Sequence, residues 1–202
     1  MLPIFQLIET KVAQSFQFII DVGKLKGVLR QTHLQEWNRR ENTAEHTWHL
    51  ILMALVLKDK ANINLNMERI LSMLAVHDLG EIGIGDTFFY ADNRKDAPKN
   101  ERENFIKICK DLSPEASDYF LDLWDEFENG ETEESKFARA LDRFQPFLNN
   151  IENGGESWLR NKISLQAALS KNAPIQQGSP ELWKYYQTLA TECDRLGLFY
   201  KA

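Results

Sequence analysis

Along most of the chain apolar residues recur at spacings of three and four, the mark of helices that bury one face. Over residues 4–22 the set Ile4, Leu7, Ile8, Val12, Phe16, Ile19 and Ile20 predicts a first amphipathic helix that stops at Gly23. Residues 23–41 mix glycine, lysine and arginine around Leu25, Val28, Leu29 and Trp37 and read as a loop or short helix. Asn42 or Thr43 can cap the next helix, which carries His46, Leu50, Met53, Ala54 and Leu57, with Glu45 in its first turn facing the helix dipole. Asn64 or Asn66 opens another, through Ile70, Leu71 and Leu74 to the pair His77-Asp78. Pro98 and Pro114 suit the first turns of two more, the second running through Trp124 and Phe127 to Gly130. A helix over 131–150 has Phe137, Ala138, Leu141, Phe144 and Phe147 on its apolar side, and Pro146 is expected to end or kink it. Helical patterning returns over 156–170 and 181–196, with a loop over 172–180 between them. No series of alternating, β-branched segments signals a sheet. The pattern predicts an all-α architecture, seven or eight helices around one core.

One stretch does not fit a purely structural helix. In residues 71–81 an apolar run ends in His77 and Asp78, with Glu81 three residues later. Burying an imidazole and a carboxylate without partners costs several kcal/mol, on the order of the penalty for unpaired polar groups, and a divalent cation satisfies both. His46 and Asp142, each on its own apolar helical segment, are the best candidates to complete the ligand set. Two imidazoles and two carboxylates suit manganese, cobalt, iron or nickel and tolerate magnesium or zinc. Four protein ligands leave positions on a six-coordinate ion for water, which the metal acidifies into a nucleophile, so the chemistry indicated is hydrolytic. Glu81 can orient or deprotonate that water or relay its proton, and Asp86 can exchange a second proton or bind a substrate hydroxyl. His49 lies three residues from His46 and can point the same way, and His33 is a further histidine within reach of the set. The glycines at 80, 83 and 85 do not make a phosphate loop, since no strand precedes them and no Gly-Lys-Ser/Thr follows.

Composition narrows the partners. With 202 residues, 43% of them hydrophobic, the chain is expected to form one domain over 1–202, its metal-site core over about 24–150 and its C-terminal helices, 151–202, packed on that core. A net charge of -6 argues against nucleic acid as the partner. No apolar run approaches the roughly 20 residues that span a bilayer, and the start lacks the features of a secretory signal, so a cytoplasmic protein without a membrane partner is expected. Cys109 and Cys193 read as ordinary reduced thiols. Lys24, Lys26, Arg30, Arg39 and Arg40 form a basic cluster, either a solvated surface or one from which an arginine, Arg30 foremost, turns inward to hold a phosphate. The aromatics Phe88, Phe89 and Tyr90 are either a packed plug or a rim for a flat base.

The ordered set His46, His77-Asp78 and Asp142 resembles the signature of the HD-domain metal-dependent phosphohydrolases, an all-α superfamily. Glu45-His46, His77-Asp78-Leu79-Gly80-Glu81, Gly85-Asp86 and Ala91-Asp92-Asn93 are similar to its 5′-deoxynucleotidase branch. The resemblance implies that His46, His77, Asp78 and Asp142 bind one divalent metal ion. It also implies that Glu81 and Asp86 assist hydrolysis of deoxyribonucleoside 5′-monophosphates, small-molecule substrates whose phosphate Arg30 holds. Members of this branch carry a tryptophan close after that arginine, whereas here Arg30 is followed by Gln31-Thr32-His33 and Trp37 is displaced. They are typically homodimers, which extends the same expectation to this chain. Two other readings stand beside this one: an HD hydrolase of another phosphoester (a cyclic nucleotide, a nucleoside triphosphate or guanosine tetraphosphate), and a non-catalytic nucleotide-binding helical module. Residues after Asn150, Trp158 and Trp183 among them, match nothing in that branch and read as packing.

Overall fold

The computed structural model describes residues 2–34, 39–91 and 96–201; Trp37 and the Asp92-Asn93 pair lie outside them. Among the described residues the chain forms ten α-helices and one two-stranded antiparallel sheet. In order these are α1 (Thr10–Val22), β1 (Leu29–Leu34), β2 (Arg39–Asn42), α2 (Thr43–Leu57), α3 (Met67–Val76), α4 (Ala97–Cys109), α5 (Pro114–Asn129), α6 (Glu133–Glu152), α7 (Glu156–Arg160), α8 (Leu165–Asn172), α9 (Ile175–Gly178) and α10 (Pro180–Arg195).

The helix ends follow from local chemistry. At the start of α2 the Asn42 side chain accepts from the Glu45 N–H while Glu45 accepts from the Asn42 N–H, a reciprocal pair that satisfies two donors the helix itself cannot. Asn66 caps α3 and Thr132 caps α6 in the simpler one-way form. Gly130 stops α5 with a φ of 64°, a left-handed turn that glycine adopts without strain.

The core gathers around α6. Its Phe137, Ala138, Leu141, Phe144 and Phe147 are buried, and the helix packs against α2, α3, α5 and α9. Helices α2 and α3 also pack on each other. Three mutually packed helices therefore bring His46, the His77-Asp78 pair and Asp142 to one place. Each fully buried Leu or Phe among these contacts contributes about 1.5–3 kcal/mol, so the triangle holds its shape.

Several expectations need correction. The first segment is not one helix: Pro3–Leu7 is a 3-10 turn, the backbone extends at Ile8, and α1 begins at Thr10. Its packed side is Ala13, Gln17 and Phe18, the last against Phe120 at 5.2 Å, while Val12, Phe16, Ile19 and Ile20 face outward. Periodicity identified the helix and misassigned its inner face. Residues 29–42, read as loop or short helix, contain β1 and β2, paired antiparallel with His33 opposite Arg40 and an irregularity between Leu29 and His33. Pro146 neither ends nor interrupts α6, which continues to Glu152. A proline inside a helix costs about 3 kcal/mol, and the burial of Phe147, Asn149 and Asn150 beyond it offsets that cost. The stretch 156–170 is two helices, broken where Lys162 takes a φ of 55°, and the loop 172–180 contains α9, which together raise the count to ten.

Gly80 fixes the turn that carries Glu81. Asn104 of α4 donates to the carbonyls of Gly80 and Ile82 at 2.8 and 2.7 Å, and a Cβ on Gly80 would lie 2.6 Å from the Glu101 carbonyl oxygen. Gly80→Ala is accordingly expected to lower stability by about 1–3 kcal/mol, the usual cost of overpacking. Urea denaturation would read this as a lower midpoint at unchanged slope; an unshifted midpoint would mean that α4 gives way freely.

Candidate metal centre and active site

Each site residue is delivered by a different piece of backbone. His46 lies in the first turn of α2, His77 directly follows α3, Asp78 occupies the turn after it, and Asp142 sits in the middle of α6. His46 and His77 are buried, and ligand-type atoms of His46, His77 and Asp142 all lie within 4.8 Å of one another. His46 Nε2 is 3.0 Å from Asp142 Oδ1 and 4.0 Å from Asp78 Oδ2. His77 Nε2 is 3.1 Å from Asp78 Oδ2 and 3.8 Å from Asp142 Oδ1. The structure thus brings together the four side chains singled out in the sequence.

The hydrogen bonds behind the rings decide what these atoms can hold. His77 Nδ1 is 2.8 Å from the Leu74 carbonyl, which can only accept, so Nδ1 carries the proton and the neutral ring turns its Nε2 lone pair to the site. His46 Nδ1 meets the Gln145 side-chain oxygen at 2.9 Å, and Gln145 is oriented by donating through Nε2 to Glu41 at 2.7 Å. Both rings therefore present Nε2 lone pairs toward two carboxylates, with His77 Nε2 buried and lacking a hydrogen-bond partner. Four acceptors aimed at one point call for a cation, and a mixed nitrogen and oxygen set suits a divalent one.

The electrostatics set a proton in competition with a cation for His77 Nε2. Burial pulls the His77 pKa down, but the Asp78 carboxylate outweighs it and raises the value to about 9. Burial works against ionised Asp78 too, yet His77 and Arg30 hold it at about 2. Asp142, despite burial, is held well below the usual carboxylate range, chiefly by His46. A proton on His77 answers part of this negative field; a divalent cation answers all four atoms at once.

Arg30 points inward from β1. Its Nη1 donates to Asp78 Oδ2 at 3.1 Å, and its Nε faces Glu41 Oε2 at 3.8 Å. Burial opposes its charge, but the carboxylates of Asp78, Asp86, Asp142 and Glu81 more than compensate and raise its pKa further. Glu81 is buried, and Thr43 Oγ1 donates to its Oε2 at 3.1 Å. Burial first, then the Asp78 charge, push Glu81 up to about 10. Arg30, Asp78, Glu81, Asp86 and Asp142 all line one cavity, and so do Phe88, Phe89 and Tyr90. The aromatic trio is therefore a wall of this cavity.

Some functional neighbours escaped the sequence reading. Glu41 is buried behind Arg30 and accepts from both Gln145 and Asn149. Gln145 lies three residues after Asp142, hence on the same helical face, a spacing that would have pointed to it. His49 reaches the site only through Gln145, at 3.1 Å, and His33 instead pairs with Glu156 at 3.1 Å. Gln145→Leu, which removes the acceptor that fixes the His46 ring, is expected to weaken metal affinity roughly 10- to 100-fold. Competition titration against a chromogenic chelator measures this; unchanged affinity would show that packing alone orients the ring.

A helical protein whose packed helices converge two histidines and two aspartates beneath a cavity holding a half-buried arginine and a buried glutamate is built to hold a divalent cation next to an anionic ligand. The chain belongs to the HD-domain family: the family model described as HD domain matches residues 22–183. The proteins named 5′-deoxynucleotidase HDDC2 from Bos taurus and Homo sapiens are each 31% identical to it over 139 residues, 67% of this chain. That match spans 66% of their own length, just under two thirds. The protein named 5′-deoxynucleotidase from Erwinia tasmaniensis is 27% identical over 165 residues, 76% of this chain and 83% of its own. Among solved structures, a predicted metal-dependent phosphohydrolase from Magnetospirillum magnetotacticum superposes with a TM-score of 0.90 at 35% identity, covering 96% of this chain and 97% of that one. Among the described residues no helix is long and apolar enough to cross a membrane.

Proposed function

We propose that this chain is a metal-dependent phosphomonoesterase that releases phosphate from deoxynucleoside 5′-monophosphates, with His46, His77, Asp78 and Asp142 as the metal ligands. The observation that carries the reading is the convergence of two imidazole lone pairs and two carboxylates at the end of a cavity that also holds Arg30 and Glu81. Relatives named 5′-deoxynucleotidase support the substrate class.

A divalent cation bound by these four residues supplies Lewis-acid chemistry, lowering the pKa of a water and drawing charge from a phosphoryl oxygen. Arg30, kept charged by surrounding carboxylates, neutralises the phosphate and fixes its orientation through its fork of N–H donors. Glu81, held by Thr43 at the cavity wall and kept protonated by burial and the Asp78 charge, gives its proton to the leaving 5′-oxygen. Asp86, on the same wall, meets the sugar side of the substrate. Buried, free Cys109 and Cys193 accord with a cytoplasmic setting. The family resemblance extends the reading to a homodimer, and light scattering on the intact chain checks that point.

The direct test loads the protein with manganese, cobalt or magnesium and presents each deoxynucleoside 5′-monophosphate in turn, with free phosphate as the readout. Release from at least one is expected; silence across the panel with all three metals removes the proposal. Arg30→Lys is expected to raise KM roughly 10- to 100-fold, the worth of a charge-assisted hydrogen bond, with a smaller change in kcat. An unchanged KM would take Arg30 out of phosphate binding.

A further inference from the structure

The cavity does not end at the metal. It runs along α6, with Asp142 and Arg143 near the ligand cluster and Pro146, Phe147 and Asn150 further on, a span of roughly 12 Å at the helical rise of 1.5 Å per residue. Its far end is walled by residues from the last third of the chain, including Trp158, Asn172 and Tyr186. Phe147 lies between Tyr186, at a ring separation of 4.1 Å, and Trp158, at 5.6 Å. The polar groups of this end are Asn172, which meets two phenols, and the pair Ser157 and Asn150, bonded to each other at 2.7 Å.

The hydrogen bonds there leave something undone. Asn172 Nδ2 donates to the Ala168 carbonyl at 2.9 Å, which fixes the orientation of the amide, since a carbonyl can only accept. One of the two amide protons is committed there, and the other is shared between Tyr186 Oη at 3.0 Å and Tyr90 Oη at 3.3 Å. Both phenol oxygens face that one shared proton, and each keeps its own O–H proton. Among the described residues neither hydroxyl has an acceptor for that proton, although Tyr186 is only 1% exposed. Burial pushes Tyr90 up to about 12 and Tyr186 upward as well, so both remain donors.

We propose that Tyr90 and Tyr186 form a base-reading subsite whose two O–H groups, set on one amide nitrogen, bind a ring carbonyl oxygen of the substrate's nucleobase. The reasoning is stereochemical. A carbonyl oxygen has two lone pairs and takes both donors, whereas a ring nitrogen has one and takes only one. Thymine, cytosine and guanine offer such an oxygen; adenine offers ring nitrogens alone. Resting on the nucleotidase reading of the metal end, the inference makes Tyr90, Tyr186 and Asn172 specificity determinants, with adenine the disfavoured base.

Calorimetric titration of the metal-loaded protein with thymidine and with 2′-deoxyadenosine, neither of which carries phosphate, separates this inference from the catalytic one. Thymidine is expected to bind tighter by roughly 3- to 10-fold for each hydroxyl that finds an acceptor. In Tyr90→Phe and Tyr186→Phe, which keep the rings, that preference should shrink, and in the double variant it should fall to within twofold. Circular dichroism reports whether each variant folds. Tyr90 sits in a loop rather than in the packed core, so Tyr90→Phe carries the test alone if Tyr186→Phe does not fold. Equal binding of the two nucleosides by the native protein, or a preference that survives the double variant, overturns the subsite even if phosphate is released from nucleotides. Tyrosine-dependent nucleoside binding without phosphate release leaves the subsite standing and overturns the nucleotidase reading instead.

Discussion

Phosphate release is expected to fall on the order of 10³-fold or more in Asp78→Ala, together with the bound metal. Asp78 faces both halves of the site: its Oδ2 lies 3.1 Å from His77 Nε2 and 3.1 Å from Arg30 Nη1. Removing it deletes one proposed ligand and unpairs a half-buried guanidinium in the same step. The Lewis-acid contribution of a metal ion is several kcal/mol, and each 1.36 kcal/mol is tenfold in rate, which sets the scale of the loss. Asp78 lies in a turn after α3 rather than inside the packed core, so the variant should still fold. Elemental analysis and phosphate assay on the same sample check both parts. A variant that keeps a full complement of metal and more than a tenth of the native rate would show that Asp78 is not a ligand.

Glu81→Gln is expected to lower kcat by roughly 10²- to 10⁴-fold, the range for a positioned proton-transfer group, while leaving metal content and KM near their native values. The amide is nearly isosteric with the acid and can still accept from Thr43, so geometry is conserved and only proton transfer is lost. The same variant distinguishes this role from metal binding, since loss of a ligand would empty the site as well. A kcat within threefold of native would assign the proton to another group, with Asp86 the next on the same wall.

The metal cluster was legible because its members break a pattern. His77 and Asp78 interrupt an apolar run, and His46 and Asp142 lie on helix-periodic segments whose inner faces the hydrophobic spacing reveals. The capped starts of α2 and α3 were legible for the same reason, since asparagine before an apolar run has a mechanism. Glu41 was not legible. It stands in the polar run Arg39-Arg40-Glu41-Asn42, and only the pairing of β2 with β1 turns it inward, a long-range event with no local signature. The sheet itself was hidden because two short strands rich in arginine lack the alternation that marks a half-buried face. Pro146 misled in the other direction, since a local cost was overridden by tertiary packing on both sides of it. The segment after Asn150 looked like filler, because a cavity wall assembled from Trp158, Asn172 and Tyr186 has no spacing of its own.

Helix α7 is clamped to β1: Arg160 donates to the Gln31 carbonyl at 2.9 Å, and Asn153, just before α7, donates to the His33 carbonyl at 3.0 Å. The clamp joins the strand that carries Arg30 to a region that lines the opposite end of the chamber. On the proposed reading the ligand set is complete by residue 142, while the far wall, Tyr90 apart, is contributed by later residues. On that reading, changes at the later wall together with Tyr90 would let descendants of such a chain exchange one clientele for another while keeping the hydrolytic apparatus intact.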